Sequence, residues 1–108
     1  MARSILYVVH VKNQNPEQYI AHMDAHRAWI NKHAEASFVL CGPFEDRSAG
    51  GMIIAQAESR DALDRILAED PLLACGAATH EVAVLEVARG YLADALRTII
   101  PSGAPQGA

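Results

Sequence analysis

The sequence predicts an α+β domain whose elements follow the order β-α-β-β-α-β, with a short helix appended. Three observations carry that expectation. Four short apolar stretches are bounded by Gly, Pro, Asn and Asp, the mark of strands. Two longer segments repeat apolar residues at helical spacing behind good N-cap residues. The chain has 108 residues, of which 51% are hydrophobic and 20% charged, enough to bury one core and too few for two.

Ser4 to Val11 reads as the first strand. Ile5, Tyr7, Val9 and Val11 form one alternating set and Leu6 and Val8 the other, which His10 ends. A strand apolar on both faces is covered on both faces. Asn13-Gln14-Asn15-Pro16 breaks it and starts a helix. Asn15 suits the N-cap, Pro16 the first helical position, and Gln18 is placed for a capping-box return. Tyr19, Met23, Ile30 and Ala34 keep one stripe, so this helix is expected to run to about Ala34. Phe38 to Cys41 is a short strand ended by Gly42-Pro43. A polar loop from Phe44 to Gly50 follows, then a third strand from Gly51 to Ala57. Ser59 caps a second helix with Leu63, Ile66 and Leu67 inward, stopped by Asp70-Pro71. Thr79 to Ala88 is the fourth strand and Tyr91 to Ile100 a C-terminal helix. Residues 1–100 are thus expected to form one domain. Pro101 to Ala108, without a large apolar group, is expected to be a flexible tail.

This order is that of the split-βαβ, ferredoxin-like arrangement, a four-stranded antiparallel sheet with its helices on one face. The helices leave the other face open. The first strand is apolar on that side too, so the sequence predicts a homodimer in which two sheets face each other as an α+β barrel.

Charge narrows the partners. Nine basic against thirteen acidic residues give a net charge of −4, which argues against a phosphate-tracking nucleic-acid binder. No stretch is long and apolar enough for a membrane span, and the apolar run near Met1 is too short for a secretory signal. The two cysteines, Cys41 and Cys75, make neither a disulfide framework nor a CxxC pair and read as small core residues. A cytoplasmic protein is the resulting expectation.

His22, His26, Trp29 and His33 share a stripe beside the core-facing one. Histidines four apart on a helix can hold a metal, but no Glu stands at the zinc-protease offset and no Cys pair supports the site, so no metal is expected. His22 and His33 fall on the outer side of the stripe. His26 lies nearest the Met23/Ile30 edge, where partial burial demands a partner and can tune an imidazole as a proton shuttle. Asp70 continues the Leu63–Ile66–Leu67 face, so it points inward at a helix C-terminus, where the macrodipole disfavours a carboxylate. It is either a turn-forming residue before Pro71 or one half of an acid–base unit with an inward histidine. Gly42-Pro43 is either a turn or a place for close backbone approach to a ligand. His10, at a strand end, is either a pocket residue or core-edge packing. Arg47 and Ser48 either bind an anionic or hydroxylated ligand or are merely solvated.

The ordered set of motifs resembles the YciI-like (YCII-related domain) family of small bacterial proteins. It comprises the strand Ile5–Val9, His26 in His26-Arg27-Ala28-Trp29-Ile30, then Cys41-Gly42-Pro43, Gly50-Gly51-Met52-Ile53-Ile54, and Asp70-Pro71-Leu72-Leu73-Ala74-Cys75-Gly76. The similarity spans roughly residues 4 to 90. There are two departures. Glu35-Ala36-Ser37 replaces the usual Gly ahead of the second strand, and Leu72 stands where an aromatic often follows Asp-Pro. The resemblance implies a ferredoxin-like dimer in which His26 and Asp70 act as an acid–base pair. One branch of the family looks like the chlorinated hydroxyhydroquinone dehydrochlorinases, and the fold is similar to that of muconolactone isomerases. Both chemistries are proton relocations that need neither metal nor redox cofactor. In both, the resemblance implies that His26 shuttles the proton, Asp70 orients it, and His10 with Arg47 or Ser48 holds ring oxygens, beside Gly42 and Pro43. The competing classes are a non-catalytic ligand-binding domain on the same fold and a metal-dependent enzyme using His22 and His26.

Overall fold

A computed structural model describes residues 4–100; the expected tail, 101–108, lies outside them. Four strands, β1 (Ile5–Asn13), β2 (Phe38–Pro43), β3 (Gly51–Ala55) and β4 (Ala78–Glu86), form one antiparallel sheet in the order β2-β3-β1-β4. Five helices accompany it: α1 (Pro16–Ala21), α2 (Met23–His33), α3 (Arg60–Leu67), α4 (Pro71–Ala74) and α5 (Ala93–Ile99). This is the α+β, ferredoxin-like architecture that the element order predicts.

Register decides which side chains share a face. Cys41, Ile53, Val9 and Val82 form one row across the four strands, and Pro43, Gly51, Val11 and His80 the next. These rows look toward the helices, where Val9, Val11 and Ile53 pack with Trp29, Leu63, Leu67 and Leu72 in the main core. The alternate row, Leu40, Ile54, Val8 and Ala83, looks the other way. Leu40 remains 68% exposed there. Leu6 also belongs to that outer face but is buried, as are Ala93 and Ile100 of the C-terminal segment, all three outside the main core cluster.

The boundaries depart from expectation where side chains intervene. The first helix is not continuous to Ala34 but divides at His22, whose ring nitrogen shares the Gln18 carbonyl with its own backbone amide. A side chain entering the helical ladder is a recognised cause of a kink. Asn15 does cap α1 through the Gln18 amide at 3.2 Å, but the Asn15 N–H goes to Asn13 Oδ1 rather than to the Gln18 side chain. β2 does not stop at Cys41 but runs through Gly42 and Pro43. Both residues pair with β3, which an edge strand permits even for proline.

The segment around Asp70 corrects the expectation most. The second helix stops at Leu67 with Ala68 as its C-cap, so Asp70 does not stand at a helix C-terminus. It is the N-cap of α4, with Pro71 at the first helical position. Gly76, at φ 78°, ends that single turn. Its N–H reaches the Leu73 carbonyl and the Ala77 N–H the Leu72 carbonyl, a Schellman closure that needs a left-handed residue. Asp70 therefore meets the favourable end of a helix, in a turn defined at both ends.

Candidate active site

Asp70 is buried with 0% exposure, and three donors surround its carboxylate. His26 Nδ1–H donates to Oδ1 at 2.8 Å, and the Leu72 amide donates to the same oxygen at 3.0 Å. His80 Nε2–H donates to Oδ2 at 2.8 Å. Burial alone would push this carboxyl up, but the His26 and His80 hydrogen bonds, the proximity of His26 and the Leu72 amide outweigh it and bring it down to about 2. The group is an acceptor only. Each imidazole nitrogen facing it must then carry a proton, which leaves Nε2 of a neutral His26 as its lone-pair atom.

Trp29 packs among the rings. Its indole lies 5.5 Å from His26, parallel to His80 at 6.3 Å, and edge-on to Phe38 at 5.1 Å. Its N–H donates to the Ile66 carbonyl, tying α2 to α3. His33 is not on the outer side of the helix. It touches Trp29 and Phe38 and shares Glu69 Oε1 with Lys32. These two partners hold the Glu69 carboxyl below its ordinary value.

A cleft of about 860 Å³ opens beside His26 between α1, α2 and the β2–β3 end of the sheet. Tyr19, Met23, Ile30 and Ile53 give it apolar walls, while Arg27 and Arg47 bring guanidinium groups. The Tyr19 hydroxyl is pushed up by burial and by the Asp70 charge. Gly42, Pro43, Arg47 and Ser48 all line the cleft. Ser48 is partly engaged, since its hydroxyl donates to Asp46 Oδ1 at 2.6 Å. His10 is not brought to the cleft. It is not among the lining residues; it stands opposite Glu81 on the outer row, and its Nε2 meets the Ala49 carbonyl at 3.0 Å. Of the cysteines, Cys41 lines the cleft with its thiol pushed up by burial. Cys75 is exposed rather than in the core. His22 and His26 do not converge: their Nδ1 atoms go to the Gln18 carbonyl and to Asp70. Among the described residues no group of three or more His, Cys, Asp or Glu could hold a metal ion, and no helix is long and apolar enough to cross a membrane.

His80 is the residue that sequence reasoning missed. The signal was a polar side chain alternating with Val82 at the start of a strand, which becomes informative only once register sets it opposite Val11.

Fold and geometry together define a small ferredoxin-like α+β protein with a buried carboxylate–imidazole cluster beside a cleft. The chain belongs to the YCII-related domain family, whose family model matches residues 5–88. Among solved structures, it is similar to 5-chloro-2-hydroxyhydroquinone dehydrochlorinase (TftG) from Burkholderia phenoliruptrix AC1100, in complex with 2,5-dihydroxybenzoquinone. The TM-score is 0.64 and the identity 22%, covering 79% of this chain and 95% of that one. No curated protein matches.

Proposed function

We propose that the protein is a cofactor-free acid–base lyase, a dehydrochlorinase acting on a small chlorinated hydroxyhydroquinone-type aromatic, with residues 1–100 as one domain. The observation that carries this reading is His26, which lines the cleft while an ionised, buried Asp70 holds its Nδ1–H at 2.8 Å. The arrangement suits a group that takes a proton at Nε2 and returns it. Loss of HCl from such a substrate is redox-neutral. His26 takes the proton of one ring hydroxyl, and the chlorine-bearing carbon gains a proton. Chloride then leaves with the C–Cl electron pair as a second hydroxyl loses its proton, giving a hydroxyquinone. Asp70 orients the imidazole and stabilises its charged form. Arg27 and Arg47 favour the negative oxygens that develop on the ring, and Gly42, Pro43 and Ser48 bound the space around it. The same residues suit a muconolactone-type isomerisation, which also relocates one proton.

The working unit in this reading is a homodimer joined through the outer sheet face, where Leu40, Ile54 and Val8 lie in one row and Leu40 and Leu85 are 68% and 49% exposed.

The test is a panel of chlorinated hydroxyhydroquinones and muconolactones, followed by chloride release and by product absorbance. Turnover of one class with a pH-dependent kcat/KM supports the assignment. Ligand-induced thermal stabilisation without product on any member overturns it in favour of a binding domain.

A further inference from the structure

The carboxylate of Asp70 has two oxygens, and the mechanism above uses one. The other belongs to His80, whose Nε2–H···Oδ2 distance of 2.8 Å equals that of the His26 bond. His80 stands at the β4 end of the row Pro43–Gly51–Val11–His80, at the sheet edge away from the cleft. Its side chain is 7% exposed and lies parallel to Trp29. A shallow depression with Arg60, Asp64 and Thr79 on its walls is where it meets the surface.

We propose that His80 is a positioning residue for the cleft's acid–base group, fixing the rotation of Asp70 and taking a share of its charge. This rests on reading His26 as the proton-moving group. A carboxylate held on one oxygen alone can turn about its Cβ–Cγ bond; with donors on both, turning breaks the His26, His80 and Leu72 bonds together. The charge argument is separate. One negative charge faces two imidazoles, so the carboxylate stabilises a proton gained by either ring, and a second proton meets the first. Each ring weakens the hold of Asp70 on a proton at the other. Deleting the His80 donor leaves that charge to His26, whose imidazolium then persists to higher pH.

The other ionisable groups around the cluster are paired or neutral, or stand at the cleft. On α1 and β2 these are Tyr19 and Cys41, and on α2 the pair Asp24–Arg27 at 3.6 Å. On α3 it is Arg60–Asp64 at 2.9 Å, and beside α4 it is Glu69 with Lys32 and His33. Arg47 lines the cleft, and Glu81 on β4 faces outward onto Lys12.

The experiment is an NMR titration of imidazole nitrogens in 15N-histidine-labelled protein, with His26 assigned through His26→Asn. In the wild type His26 should carry its proton on Nδ1 with Nε2 bare. In His80→Phe, which keeps a ring against Trp29 and loses the donor, the His26 midpoint should rise by about half a pH unit, roughly a threefold gain in proton affinity. His80→Gln places an amide N–H where Nε2 was and should restore the wild-type midpoint. If His80→Phe does not fold, His80→Asn, whose shorter amide falls short of Oδ2, takes its place. An unchanged His26 midpoint in the donor-deleted variant overturns the proposal, as does an equal rise in His80→Gln. The readout needs no substrate, so a wild type without turnover refutes the catalytic reading and leaves this result standing or falling by itself.

Discussion

At the scale of single residues, the two nitrogens of His26 have separable tasks, and that separation can be tested. His26→Asn carries an amide N–H where Nδ1 was, so the bond to Asp70 can survive while the atom facing the cleft is lost. The expected outcome is a melting temperature near that of the wild type with turnover down by about 10²–10⁴-fold. His26→Ala should lose both activity and stability, because Asp70 Oδ1 then keeps only the Leu72 amide. His22→Ala should leave the rate per folded molecule largely intact, since its ring is engaged with its own helix. If His22→Ala is as damaging as His26→Ala and added zinc restores metal-stripped protein, a metal site is the correct reading. Asp70 also makes a prediction about acid. Its carboxyl falls from 3.8 to about 2 on folding, so its contribution is fully present above pH 4 and disappears as pH falls toward 2. The shift corresponds to about 2 kcal/mol. Asp70→Asn should flatten the stability-versus-pH curve across that window, as read by urea unfolding at a series of pH values.

At the scale of elements, the glycines that set local geometry give a graded test. Gly76→Ala should cost about 1 kcal/mol, because its left-handed φ of 78° suits only glycine although open space surrounds it. Gly50→Ala should cost more. Its φ is 91°, and an added Cβ there would run into the Val11 carbonyl oxygen. Denaturant midpoints of the two variants rank them. Much of this layer was legible in the sequence. Asn15-Pro16 and Ser59 announce their helices, and the Ile5–Val11 alternation announces the first strand. The meeting of His26 and Asp70 was legible too: His26 borders the Met23/Ile30 edge and Asp70 follows at the spacing of the Leu63–Ile66–Leu67 face, so both are expected inside, where neither is stable alone. What stayed hidden depends on contacts that no local pattern encodes. The division at His22 comes from a ring nitrogen competing for a carbonyl, and the N-cap role of Asp70 from a helix of one turn, shorter than any periodicity can register. His80 belongs to the cluster only through strand register. His10 falls away from the cleft for the same reason, since alternation along β1 turns it to the outer face.

At the scale of the whole molecule, the sheet is a wall with two different sides. The inner side carries the core and the carboxylate cluster, and the outer side carries the row from Leu40 through Ile54 and Val8 to Ala83. In the proposed dimer that row is covered by a second copy. Sedimentation of the wild type at micromolar concentration should give a dimer, and Leu40→Asp or Ile54→Asp should shift it toward monomer. A wild type that sediments as a stable, soluble monomer ends the dimer proposal. The inner side holds the single tryptophan of the chain, ringed by His26, His33 and His80. Protonated imidazoles quench indole emission, and here every imidazole on Asp70 is a neighbour of Trp29. The molecule thus contains its own optical gauge. Without any label, the brightness of its fluorescence should fall as the buried rings take up protons.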